Sequence, residues 1–270
     1  MSSTDKVFAG SIPKLYDEYL VPMIFSVYAE DIARRVAARA PSVLLEIAAG
    51  TGAVTRAVAA ALPRGVRYVA TDLNEPMLAV AAQRQSEDDR ITWRQADGMA
   101  LPFDDSEFDV VCCQFGAMFF PDRVKAYGEV RRVLKPDSTF VFNVWDRIED
   151  NVLTHEATVA LEKLFPDDPP RFMVRTPHGY HDKITIKTDL EHAGLRDISI
   201  ETRSEISRAP SAEYVAIALC QGTPLRSEIE ARDPSKLQAA TDIVAETLRA
   251  RHGSGPVEGK IQALVIEARP

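Results

Sequence analysis

The chain has 270 residues, 46% hydrophobic and 27% charged, enough apolar material for a sizeable core without disulfides or a structural metal. A net charge of −8 disfavours DNA or RNA as partner, because nucleic-acid affinity comes largely from lysine and arginine displacing counterions. No apolar run approaches the roughly 20 residues that span a bilayer, Met1 to Lys6 lacks a signal-peptide stretch, and Cys112, Cys113 and Cys220 show no metal-ligand spacing, so a cytoplasmic protein with a small-molecule partner and no metal is expected.

In chain order, residues 12–28 carry Tyr16, Tyr19 and Phe25 on a short helix, and a second helix follows over 30–40. From there apolar runs alternate with helical patterns, the signature of a mostly parallel sheet. Strands are predicted at 43–48, 66–72, 91–96, 108–113 and 139–145, most of them too apolar for a solvent face, so each is expected between helices. The intervening helices fall at 53–62, 75–85 and 122–134, with prolines at 41, 63 and 136 closing three of the helices. After Trp145 the alternation lapses into a helix over 152–165, a proline-rich loop at 166–170 and a helix ending near Gly194. A strand at 197–202, two helices between 211 and 251, and a last strand at 260–268 complete the prediction. One domain is expected, with residues 42–146 as its core, 1–40 as an amino-terminal helical lid and 147–260 as insertions and a cap.

The first strand ends in Glu46-Ile47-Ala48-Ala49-Gly50-Thr51-Gly52 and runs straight into a helix, so its glycines fall where the chain turns sharply beneath a ligand. Glu46 discourages a phosphate there and suits a cationic amino group. Twenty residues after Gly52, Asp72 ends the second strand, where a carboxylate can accept both hydroxyls of a ribose. Asp97 and Gly98 end the third strand and offer a second acceptor for an exocyclic amine, while Leu73, Met77 and Met99 supply apolar faces for a purine. Thr55 stands where a dinucleotide fingerprint has its third glycine, which weakens the alternative of an NAD-type oxidoreductase.

These pieces, with Leu101-Pro102-Phe103, Phe108 to Gly116 and Glu129 to Pro136, resemble the class I S-adenosylmethionine-dependent methyltransferases, especially the ubiquinone and menaquinone branch. The resemblance implies a Rossmann-like α/β fold whose seven-stranded sheet runs 3-2-1-4-5-7-6 with strand 7 antiparallel, helices on both faces, and a helical cap. It implies S-adenosylmethionine as cofactor and S-adenosylhomocysteine as product. Backbone around Ala48, Gly50 and Gly52 would face the methionine part, Asp72 the ribose, Asp97 the adenine amine and the Gly98 amide a ring nitrogen. The Gln114 carbonyl would face the methionine amino group. Ala48 departs from the glycine usual in the family. A binder that never turns the cofactor over is a further alternative.

The resemblance also puts the acceptor pocket between the amino-terminal segment and residues 146–190. Tyr16 and Tyr19 are lid candidates that can bond the methionine carboxylate, against a helix that merely packs on the sheet. His178 and His181, flanking Tyr180, are candidates for a base, with structural roles or metal ligation as alternatives. Phe115, Trp145 and Tyr180 are the candidate acceptor walls, although Trp145 equally suits the core.

Overall fold

In a computed structural model that describes residues 3–270, five parallel strands follow one another, with a helix in every connection but that from the third to the fourth: β1 (Val43–Ile47), β2 (Arg67–Asp72), β3 (Ile91–Gln95), β4 (Phe108–Gln114) and β5 (Leu134–Trp145). Two long strands, β6 (Arg196–Ala209) and β7 (Val257–Arg269), complete one sheet ordered β3-β2-β1-β4-β5-β7-β6. Strand β7 runs antiparallel to both neighbours, as expected. The helices are α1 (Ile12–Leu15), α2 (Ser26–Ala37), α3 (Ala53–Ala61), α4 (Glu75–Arg84), α5 (Arg123–Val133), α6 (Val152–Leu164), α7 (Phe172–Arg175), α8 (Lys183–His192), α9 (Ala212–Gln221), α10 (Leu225–Arg232) and α11 (Leu237–His252).

Period-two alternation divides the strand residues between two cores. Leu44, Val110 and Cys112 pack with Ile32 and Val36 of α2 and Val58 of α3. Leu45, Ile47, Val111 and Cys113 face the opposite way, into a larger core with α5, α6, α8 and the cap helices. Each fully buried aliphatic side chain contributes on the order of 1.5–3 kcal/mol, so the sheet is held from both faces. Both adjacent cysteines are buried thiols, consistent with core positions on opposite faces.

Four elements depart from expectation. Strand β3 lies at the sheet edge and exposes Thr92, Arg94 and Gln95, so it is not buried between helices. Strand β6 is 14 residues long, extending well past 202, because it pairs with β7 along almost its whole length. Three helices and a short 3-10 turn, not two helices, connect those strands. The amino-terminal segment is one continuous helical run, in which wide π-type turns over Tyr16–Phe25 join α1 to α2. Pro22 sits inside those turns, where its missing N–H removes one ladder bond. Among the described residues no helix is long and apolar enough to cross a membrane.

Candidate active site

The parallel strands end together at the carboxyl edge of the sheet, where β1, β2 and β4 deliver the site. The chain leaving β1 passes through Ala48 (φ 55°), Gly50 (φ 57°) and Gly52 (φ 82°), all left-handed, before entering α3. Alanine in that conformation is uncommon and strained. Its methyl is accommodated because residue 116 is glycine, where an added Cβ would lie 2.5 Å from the Ala48 Cβ.

Asp72 is buried at the end of β2, and both carboxylate oxygens accept backbone N–H groups. Oδ2 accepts from Gly50 at 2.9 Å and Oδ1 from Asn74 at 2.7 Å. Oδ1 also accepts from the Asn74 side-chain amide at 3.3 Å, and the three donors orient the carboxylate across the glycine turn. Burial raises its pKa, while the Asn74 and Gly50 amides oppose the rise. Asp97 Oδ1 accepts from the Met99 amide at 2.9 Å in a tight turn. An added Cβ at Gly98 would lie 3.0 Å from the Phe120 ring, so glycine is what lets that aromatic close on the site.

These groups line a cavity of about 780 Å³ together with Ala48, Gly50, Leu73, Met77, Gln114 and Tyr16. The Gln114 Nε2 donates to the Phe25 carbonyl at 3.4 Å, whereas its Oε1 is buried with no partner. An orphaned acceptor in such a wall suits a cationic or N–H donor of a ligand. The cleft therefore offers carboxylates for a hydroxyl pair and an amine, a glycine cradle, and one unsatisfied carbonyl oxygen.

A second cavity, of about 600 Å³, adjoins the first and shares Phe8, Tyr16, Phe115 and Phe119 with it. Phe115 lies at the junction with left-handed backbone (φ 49°), its amide donating to the Asn143 side chain at 2.9 Å. Strain held by a buried side chain is characteristic of functional positions. Its ring stacks on Trp145 at 3.9 Å, and Tyr16 stacks on Phe25 at 5.0 Å. Burial, then the charges of Asp72 and Asp17, push the Tyr16 hydroxyl well above the usual phenol range, so it stays a neutral O–H.

His178 lines this second cavity, its Nδ1 lying 2.7 Å from the Asp146 carbonyl oxygen. A carbonyl only accepts, so Nδ1 carries the proton and Nε2 is the acceptor. Burial lowers the imidazole pKa to about 4, so the ring is neutral at neutral pH and a weak base. Trp145 lines the same cavity.

Five expected site residues lie outside both linings. Glu46 points, by strand parity, toward α3, where it accepts from Thr55 at 2.6 Å and from the Tyr68 hydroxyl. Burial raises its carboxyl to about 7, those two donors opposing. Gly52 is required by its backbone and by α4, since an added Cβ would lie 3.1 Å from Ala81 Cβ. Tyr19 packs on Tyr214 at 4.6 Å. Tyr180 donates to Asp189 at 2.8 Å beneath the Arg123 guanidinium, and His181 bonds the His178 carbonyl at 2.8 Å. Sequence reasoning missed Lys6, Phe8, Asn74 and Phe119 in the first cavity, and Leu219, Thr223 and Ile261 in the second. The aromatic run Phe119-Phe120-Pro121 after β4 was a usable signal for the first group. The second comes from α9, the loop after it and β7, distant in sequence. Among the described residues no group of three or more His, Cys, Asp or Glu could hold a metal.

Residues 45–142 match the methyltransferase domain family. Over that span the chain carries a methyltransferase domain, on a sheet ordered β3-β2-β1-β4-β5-β7-β6. The chain is 42% identical over 108 residues to a demethylmenaquinone methyltransferase of Clavibacter sepedonicus, covering 40% of this chain and 43% of the relative. It is 35% identical over 162 residues to the ubiquinone/menaquinone biosynthesis C-methyltransferase UbiE of Burkholderia mallei, covering 56% of this chain and 66% of the relative. The matches thus span less than two thirds of either relative. A structure of Haemonchus contortus phosphoethanolamine N-methyltransferase 2 with S-adenosyl-L-methionine shares the fold at 17% identity and TM-score 0.57, over 96% of this chain and 56% of that one.

Proposed function

We propose that the chain transfers a methyl group from S-adenosylmethionine to a small-molecule acceptor, the cofactor lying in the first cavity and the acceptor in the second. The observation that carries this reading is that two adjoining clefts meet at a shared aromatic wall, one polar and acidic, the other apolar. When bound, S-adenosylmethionine supplies a sulfonium methyl, an electrophile that needs positioning more than covalent help. Asp72 holds the ribose hydroxyls, Asp97 and the Gly98 amide hold the adenine edge, and Gln114 Oε1 accepts from the methionine amino group. Tyr16 and Phe115 close the junction, excluding water and aligning the acceptor, which is worth on the order of 7–11 kcal/mol for a bimolecular step. The quinone pathways named for the curated relatives make a quinone-type ring one acceptor to try.

Calorimetric titration with S-adenosylhomocysteine and with NAD tests the cofactor. Binding of the former and not the latter is expected, and preference for NAD would sink the reading. Asp72→Ala loses two charge-assisted hydrogen bonds, each worth about 1.5–3 kcal/mol, so affinity should fall by roughly a hundredfold or more while cooperative unfolding persists. Turnover is read as methylated product from a metabolite library.

A further inference from the structure

Among the described residues, no charged side chain lines the second cavity. Several of its polar side chains are already committed to the protein. Asn151 Oδ1 accepts from the Gln262 amide at 3.0 Å, and its Nδ2 donates to backbone carbonyls, Arg147 among them at 3.1 Å. Thr223 donates to the Leu219 carbonyl at 2.8 Å and accepts from the Leu225 amide at 3.2 Å. His178 is different: with Nδ1 turned to Asp146, its ring offers Nε2, a lone pair that accepts and cannot donate, and no described residue donates to it. Thr154 and the Tyr16 hydroxyl are the other polar groups of the lining, and the rest is aromatic and aliphatic, with the flat Phe115 and Trp145 pair on one side.

We propose that this cavity takes an uncharged acceptor with a flat apolar body and one hydroxyl, and that His178 selects it by accepting a hydrogen bond from that hydroxyl at Nε2. The proposal rests on the methyl-transfer reading above. An ammonium, carboxylate or phosphate entering here leaves water without gaining a counter-charge, and the effective penalty is several kcal/mol per ion. A neutral imidazole cannot supply that charge, and it rewards only a donor. His178 is therefore a specificity-determining residue, and its low pKa suits it to hydrogen bonding rather than to proton storage.

The test uses the full chain saturated with S-adenosylhomocysteine, so that no sulfonium charge contributes, titrated with 2-naphthol, naphthalene, 2-naphthoate, 2-naphthyl phosphate and 2-naphthylmethylammonium. Naphthol should bind roughly fivefold tighter than naphthalene, the worth of one neutral hydrogen bond. The three ions should bind at least about a hundredfold more weakly than naphthol. His178→Phe should erase naphthol's advantage over naphthalene, and His178→Gln, which keeps an acceptor, should retain part of it. An ion binding within about tenfold of naphthol overturns the claim of an uncharged acceptor, whatever the variants do. A folded His178→Phe protein that still prefers naphthol to naphthalene overturns the assignment to His178. If S-adenosylhomocysteine binds and naphthol does not, this proposal falls while the cofactor assignment stands. If the cofactor product fails to bind, that assignment falls, and the same panel on the unliganded chain still decides the acceptor class.

Discussion

His178 shows how one residue couples the site to stability. Its pKa falls from the ordinary 6.5 to about 4 because the folded chain buries the ring. The unfolded chain therefore binds a proton more readily, and stability declines as pH falls from about 6.5 toward 4, by about 3 kcal/mol in all. Glu46 acts in the opposite sense, since its carboxyl is raised from 4.5 to about 7 and stays protonated in the fold across that window. Comparing His178→Gln with the unaltered chain cancels the Glu46 contribution. Chemical denaturation at pH 7, 6, 5 and 4 should show the variant losing less stability on acidification. Two curves that run parallel would remove the burial argument. At this scale the sequence was legible where strand parity and strand end coincide: Asp72, Asp97 and Gly98 all reach the cavity. Glu46 lay one parity step away, and its partner Thr55, the position that lacks the third dinucleotide glycine, turns out to hold that carboxylate. Nothing in the local pattern separates Gly50, which lines the cavity, from Gly52, which faces Ala81.

The segment from Asp5 to Asp17 is tied down at intervals along its length. Asp5 accepts from Arg175 at 2.6 Å and from Thr176 at 2.6 Å, the Phe8 amide donates to Asn74 at 3.2 Å, and Asp17 accepts from Arg84 at 2.8 Å and Arg56 at 3.3 Å. Arg56 also donates to the Thr51 carbonyl at 2.7 Å, so one side chain joins this strap to the glycine turn. Lys6, Phe8 and Tyr16 lie between these anchors and roof the first cavity. Should this strap gate the cavity, its tie to α3 and α4 is the buried Asp17 carboxylate. Asp17→Asn should accelerate S-adenosylhomocysteine dissociation about tenfold in stopped-flow displacement, the kinetic worth of one charge-assisted hydrogen bond. An unchanged rate would mean that the strap does not gate the cavity. The sequence marked a lid here through its tyrosines but not its anchors, because arginine partners 39 and 67 residues away leave no local trace. Strand β6 was under-read for a related reason. With one face open to solvent it carries Arg, Ser and Glu at most positions, and only pairing with β7 makes it a strand.

Chain topology makes the cap part of the sheet. The polypeptide leaves β6, builds α9, α10 and α11, and returns as β7 between β5 and β6, so the cap is anchored at both ends to paired strands. The amino-terminal helix is bound into the same unit through Asp31, 1% exposed, which accepts from Arg34, Arg35 and Arg203 at 2.6, 2.8 and 2.9 Å. Arg35 continues to Glu201 on β6 and Glu267 on β7 at 2.6 and 3.0 Å. Removing the buried carboxylate takes one acceptor from each of three guanidinium groups; Arg35 keeps Glu201 and Glu267 and Arg203 keeps Glu205, so the loss is that of charge-assisted hydrogen bonds at a buried position, about 3 kcal/mol in all. For a chain of this size Asp31→Ala should lower the melting temperature by about 8 °C. Because α2, β6 and β7 belong to one network, helix loss by far-ultraviolet circular dichroism and exposure of Trp93 and Trp145 by fluorescence should shift together. If the two probes separate, with helix lost before the tryptophans are exposed, then α2 is a detachable arm, and the lid it carries opens by local unfolding rather than by release of its anchors.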